Sequence, residues 1–165
     1  MSRTGITDVA VDAVRSQTRL ALPDDDAYLY RLGVALYGFA KLSSFMAEVA
    51  CKLDKTLSRS EVEPGTGGAI LCNFRNSAEK VSKSLPEIEP VAQNVVNMFF
   101  ALNKERTDFV HAYPITNDAE AQILHRRKDS EEKYFEVTNE FLDLFITRLD
   151  TVSDKLYEIR AIVSA

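Results

Sequence analysis

Histidine and cysteine are both scarce in this chain, two of each in 165 residues. Two histidines exclude a multi-histidine metal site, and no His-Glu-x-x-His segment is present, so no metal is expected. Cys51 and Cys72 each stand in an apolar helical pattern and not in a Cys-x-x-Cys pair. That placement predicts two reduced, buried thiols. Neither a P-loop nor a paired Gly-rich strand turn is there to cradle a nucleotide's phosphates, and no cofactor is implied. The N-terminal stretch MSRTGITDVAVDAVRS lacks an apolar run of the signal-peptide kind, and later segments fall short of the roughly 20 apolar residues that span a bilayer. The expectation is a cytoplasmic protein with no membrane partner. A formal net charge of −5 argues against polyanion binding over the whole surface and leaves room for a local basic site.

What is present is helical periodicity. With 45% hydrophobic residues the chain can build one good core, so a single domain over 23–165 is expected behind an N-terminal arm over 1–22. The arm's weak pattern of Ile6, Val9, Ala10 and Val14 suits packing on the domain or on a partner. Pro23 and the acidic Asp24, Asp25 and Asp26 start a helix over about 25–55, with Tyr28, Leu32, Ala35, Leu36, Phe39, Leu42, Met46, Val49 and Leu53 inward. Gly33 and Gly38 inside it suggest close approach by another helix. After the loop TLSRSEVEPGTGG, a second helix spans 67–84 with Ile70, Phe74, Ala78, Val81 and Leu85 inward. Pro86 and Pro90 open a third, 87–112, which Tyr113-Pro114 ends. The runs QILHRR and KYFEVT, across the polar turn KDSEE, read as a small β-hairpin, with an irregular excursion or a short helix from Asp118 as the alternative. Thr138 or Asn139 caps a last helix over 139–163, whose core positions run from Leu142 to Val163. The fold class expected is all-α: an antiparallel four-helix bundle with an N-terminal arm and a β-hairpin before the last helix.

The third helix carries the chemistry. Its inward face runs Val95, Phe99, Leu102, then Arg106, then Phe109 beside Val110, so an arginine interrupts an apolar stripe. A guanidinium withdrawn from water needs a counter-charge or a ligand. Glu105 and Asp108 are candidate partners, and a pair with Glu48 would make Arg106 purely structural. His111 follows five residues later, about 140° around an ideal helix. Asn103, Thr107 and His111 lie one turn apart along a polar seam able to orient the histidine or to bind sugar and phosphate. The basic run His125, Arg126, Arg127, Lys128 is a solvated face unless the hairpin folds back over the end of the third helix.

The segment Arg106-Thr-Asp-Phe-Val-His111 resembles the R-polar-x3-H signature of HEPN domains, helical bundles found in prokaryotic toxins and RNA-cleaving defence proteins. Thr107 stands where many members have asparagine. The resemblance, spanning about residues 25–163, implies a metal-independent endoribonuclease in which Arg106 and His111 are catalytic; the polar seam adds Asn103 and Thr107, and a hairpin folded back would add Arg126, Arg127 and Lys128, as residues that bind or orient RNA. It also implies a toxin or defence role and an antitoxin protein as partner. Such cleavage needs no metal: a 2′-hydroxyl attacks the adjacent phosphate, an imidazole moves the proton near neutral pH, and an arginine fork holds the phosphate as charge builds. A homodimer with the ends of its third helices together would hydrate an arginine in an apolar register. The other function class is a noncatalytic dimeric helical module that binds a protein or a nucleotide-bearing partner through Arg106.

Overall fold

Asp25 turns the acidic run after Pro23 into a helix cap: its carboxylate accepts the Tyr28 N–H at 3.0 Å, and helix α2 runs from Asp26 to Leu53. The computed structural model describes residues 7–127 and 134–164, with the backbone alone for 7–10, 127 and 134. Before α2, the arm forms a helix of its own, α1 (Thr7–Arg15), tied down where the Arg15 guanidinium meets the Asp26 carboxylate and the Pro23 carbonyl. Ile6 and the turn 128–132 lie outside the described residues.

The loop after α2 contains one helical turn, α3 (Arg59–Val62), which the sequence reading passes over because its residues are polar apart from Val62. Val62 is buried and pins that turn to the core. Thr66 then caps α4 (Gly67–Val81), its hydroxyl accepting from Ala69 N at 3.3 Å. Helix α5 spans Ile88–Val110, with Pro90 harmless in its first turn. Thr138 accepts from Phe141 N at 3.2 Å at the start of α6 (Asn139–Ser164). Each of the four long helices touches two others: α2 packs on α4 and α6, and so does α5. Phe39, Phe74, Phe99, Phe145, Met46 and Leu156 fill the space between them.

The β element is larger than the expected hairpin. Beyond His111 the chain enters strand β1 (Tyr113–Thr116), which pairs antiparallel with β2 (Gln122–Arg127), and β2 pairs antiparallel with β3 (Tyr134–Val137). Pro114 ends the helix as expected, yet its extended backbone also suits an edge strand, where a missing N–H costs nothing. Asn117 builds the β1–β2 turn, its side-chain oxygen accepting from Ala119 N at 3.1 Å and Ala121 N at 2.9 Å. The sheet is anchored twice. Leu124 N donates to the Tyr28 hydroxyl at 2.9 Å, and Phe135 packs edge-on to Phe141, whose neighbours Phe109 and Phe145 extend the aromatic cluster across α5 and α6.

Three expectations about α2 and the thiols are corrected. Leu36 is exposed at the edge of a groove, because α2 carries apolar residues over a wider arc than its neighbours cover. Helix α2 also has the length and composition to cross a bilayer, with 44% of its most apolar window buried in the molecule. Neither cysteine is fully buried. Cys72 faces outward from α4, and Cys51 is half-buried with its thiol pushed up by burial. Gly38 fulfils its expected role, since a Cβ there would stand 3.0 Å from Leu149 Cδ1 of α6.

The end of α2 supplies a stability prediction. Asp54 accepts from Lys80 Nζ at 2.6 Å, Thr56 Oγ1 at 2.6 Å and Thr56 N at 3.0 Å. Chiefly the Lys80 hydrogen bond, and then those from Thr56, lower its pKa from 3.8 to about 2. A depressed folded-state pKa means stabilisation that is full above 3.8 and is lost as pH falls through about 2. Asp54→Asn should therefore lower the melting temperature at pH 6 and narrow the gap from wild type between pH 4 and pH 2. Equal separation at every pH in thermal melts would refute the linkage.

Candidate functional site

Arg106 occupies the place on α5 that its register assigns, one turn beyond the buried Leu102. Its guanidinium lies 5.0 Å from the centroid of the Phe39 ring, which itself stacks on Phe99 at 5.3 Å. Nη2 donates to Asn103 Oδ1 at 3.2 Å. Nε is buried without a hydrogen-bond partner. Neither expected carboxylate reaches it. Glu105 is held by a two-pronged contact from Arg148, and Asp108 lies 3.3 Å from Arg126 Nη1. Glu48 is surrounded by Lys52, Arg59 and Arg160 at 3.5–3.7 Å. Among the described residues, Arg106 is thus the one half-buried arginine without an ion pair.

The guanidinium lines a groove of about 690 Å³ between α2, the α3–α4 connection and the end of α5, bordered by Leu36, Phe39, Thr66, Gly67 and Val110. Glu63 borders the same groove, but its carboxylate is already taken by the Ser44 hydroxyl and Arg59, which hold its pKa below the ordinary glutamate value. Gly67 explains how Asn103 fits. A Cβ on Gly67 would stand 2.3 Å from Asn103 Oδ1, so the first residue of α4 must be glycine for the carboxamide to sit there and brace Arg106. The sequence marks Phe39 as core and 67 as a helix start, and only packing brings Phe39, Thr66 and Gly67 to this groove. Thr66-Gly67-Gly68 looks like loop composition, although a threonine before a helix start is also a cap signal.

The remaining candidates divide. Thr107 spends its hydroxyl on the Asn103 carbonyl at 2.9 Å, leaving the oxygen's lone pairs available. His111 is the residue that ends α5. Its N–H donates to the Thr107 carbonyl at 3.2 Å, and its imidazole is exposed, with no partner among the described residues. It is not among the side chains that line Arg106's groove. No protein-family model, curated protein or solved structure matches this chain. The sheet does fold back over the end of α5: Arg126 Nη1 donates to the Thr107 carbonyl at 2.9 Å, where a cation complements the helix C-terminus. Arg126 is thereby committed to the fold, and His125 meets Tyr113 edge-on at 5.5 Å. The Arg127 side chain and Lys128 lie outside the described residues.

Proposed function

We propose that this chain is a HEPN-like, metal-independent endoribonuclease built on a four-helix bundle. The observation that carries the reading is Arg106: half-buried, braced by Asn103 and Phe39, and without a carboxylate among the described residues, while the other half-buried arginines each have one. An unpaired guanidinium in a groove is a receptor for an anion that arrives from outside, and a phosphodiester fits its fork. In the reaction the 2′-oxygen bonds to the adjacent phosphorus as the bond from phosphorus to the 5′-oxygen breaks. The products are a 2′,3′-cyclic phosphate and a free 5′-hydroxyl. His111 transfers the proton, leaving the 2′-hydroxyl or joining the departing 5′-oxygen, and Arg106 offsets charge on the non-bridging oxygens.

One observation favours a second reading. His111 lies outside the lining of Arg106's groove, which suits a noncatalytic module that binds a nucleotide-bearing or protein partner through Arg106. Incubating the purified protein with single-stranded RNA and a chelator separates the two. The nuclease reading expects fragments ending in 2′,3′-cyclic phosphate. Binding without cleavage selects the module, and loss of cleavage on chelation rejects the metal-independent route. A toxin or defence role, with an antitoxin protein as partner, follows from the same resemblance and is tested by growth arrest on expression.

A further inference from the structure

A second groove, of about 460 Å³, runs between α2 and α6, and the site around Arg106 makes no use of it. It follows α2 from Val34 to Glu48, about 21 Å at 1.5 Å per residue. On a chain of net charge −5, three cations line it, Lys41, Arg59 and Arg160, against the two carboxylates of Glu48 and Asp150. Those cations are loosely held. Glu48 serves Lys52, Arg59 and Arg160 at once, at 3.5–3.7 Å, beyond the roughly 2.7–2.9 Å of a charge-assisted hydrogen bond. Arg160 has no other carboxylate among the described residues, and the exposed Lys41 has none. Asp150 stands on the α6 wall and holds none of the three at ion-pair distance.

The cations come with flat faces. The Arg160 guanidinium lies 4.6 Å from the centroid of the Tyr157 ring and 5.4 Å from that of Phe45, and the two rings are 4.6 Å apart. Tyr157 is nevertheless 51% exposed. An unpaired nucleotide uses both parts of such a pair: its phosphate takes the charge, and its base stacks on the ring or on the guanidinium plane. An acidic peptide would engage the charges and leave the rings idle. This groove also joins the one that holds Arg106. Ser44 lines both, and beside it on α2 Ala40 borders one and Lys41 the other, so the ridge between them carries two small side chains and a cation. Arg59 of the second groove donates to Ser44 Oγ at 3.1 Å and to Glu63 of the first at 3.2 Å, and the Ser44 hydroxyl donates to Glu63 as well. The acid at the crossing is therefore neutralised before a ligand arrives.

We propose that the α2–α6 groove is a subsite for a flanking nucleotide of the same strand. Single-stranded RNA held at Arg106 crosses α2 over Ala40 and Ser44, and a nucleotide beyond the crossing sets its phosphate against Arg59 and Arg160 and its base against Tyr157. The subsite rests on the ribonuclease reading and adds two demands on the substrate. The strand must be unpaired past the crossing, because a base inside a duplex cannot stack on Tyr157. It must also be long enough to pass over a helix about 10–12 Å in diameter. Every base has a flat face to offer, so this subsite selects length and single-strandedness and not sequence.

Fluorescence anisotropy of the full chain with uncleavable 2′-O-methyl RNA, a dinucleotide and an octanucleotide, reads the subsite without chemistry. Wild type should bind the octanucleotide at least about tenfold more tightly, and Tyr157→Ser or Arg160→Gln should weaken that binding at least about fivefold while leaving the dinucleotide unchanged. Tyr157→Phe should keep wild-type affinity, and Arg160→Gln should reduce the slope of log affinity against log salt by about one. Matched melting curves verify the fold, and wild type irradiated with an octanucleotide carrying a terminal thiouridine should cross-link at Tyr157. The subsite is overturned if both substitutions spare the octanucleotide, if they weaken the two lengths alike, if a hairpin duplex binds as well as the single strand, or if polyglutamate of equal charge displaces the octanucleotide as well as RNA does. Arg106→Ala separates the subsite from the reading beneath it. Weakening by Arg106→Ala with none by Tyr157→Ser keeps the Arg106 site and removes the subsite. Weakening by Tyr157→Ser with none by Arg106→Ala, or no binding by wild type, removes both.

Discussion

Replacing His111 by alanine is expected to lower the rate of RNA cleavage by roughly 10²-fold or more while leaving RNA affinity nearly unchanged. The imidazole is exposed and bonds to nothing among the described residues, so its removal disturbs neither groove nor fold. Arg106→Ala should lose both binding and cleavage, and Arg106→Lys should keep part of the binding, because an ammonium preserves charge without the fork. Stability should move the other way at Arg106. Its buried Nε lacks an acceptor, and an unsatisfied buried donor costs about 1–3 kcal/mol. Arg106→Met, which fills the same space without that donor, should match or exceed wild type in urea denaturation while binding no RNA. A purely structural arginine would show the opposite sign. Unchanged single-turnover cleavage by His111→Ala would end the proposed proton-transfer role, and unchanged binding by Arg106→Ala would end the phosphate role.

The long helices were legible because burial and periodicity coincide in them. The stripe from Leu142 to Ile159 is buried at every turn, and α6 begins at the threonine cap that the sequence marks. The register of α5 likewise put Arg106 beside apolar neighbours without a view of any partner. The identity of those neighbours was another matter. Glu105 and Asp108 stand closest in sequence, but on a helix they point about 100° and 160° away from Arg106, and each carboxylate went to an arginine on a distant segment, Arg148 of α6 and Arg126 of β2. Which of several charges meet is decided by the packing of helices and sheet, which local periodicity does not encode.

Strand β1 was missed for a related reason. Tyr113 and Pro114 carry a clear signal to stop the helix, and Ile115 alone gives no alternation to count. The strand exists because β2 lies beside it, pairing Pro114 with Leu124 and Ile115 with Ile123, and because Asn117 supplies a turn of the right length. Arg126 was visible as part of a basic run, yet its role at the end of α5 depends on that sheet folding back. The same limit hid the brace behind Arg106: α4 begins at 67 as its pattern predicts, but that Gly67 meets Asn103 depends on how α4 packs on α5.

That brace gives the second large effect. Gly67→Ala is expected to destabilise the protein by about 1–2 kcal/mol, the net of an overpacking cost of roughly 1–3 kcal/mol and a propensity gain of up to about 1 kcal/mol at a helical position. The added methyl would stand 2.3 Å from Asn103 Oδ1 and 3.0 Å from its Cγ, so the carboxamide must turn away. In turning it releases Arg106 Nη2, which it accepts at 3.2 Å. RNA affinity should therefore fall together with stability. Adding Asn103→Ala removes the obstruction, and urea denaturation of the two single variants and the double should return a favourable coupling in the double-mutant cycle. RNA affinity should stay low in the double variant, because the methyl then fits while the guanidinium has lost its brace. If Gly67→Ala proves more stable than wild type and binds RNA as well, Asn103 moves freely and does not position Arg106.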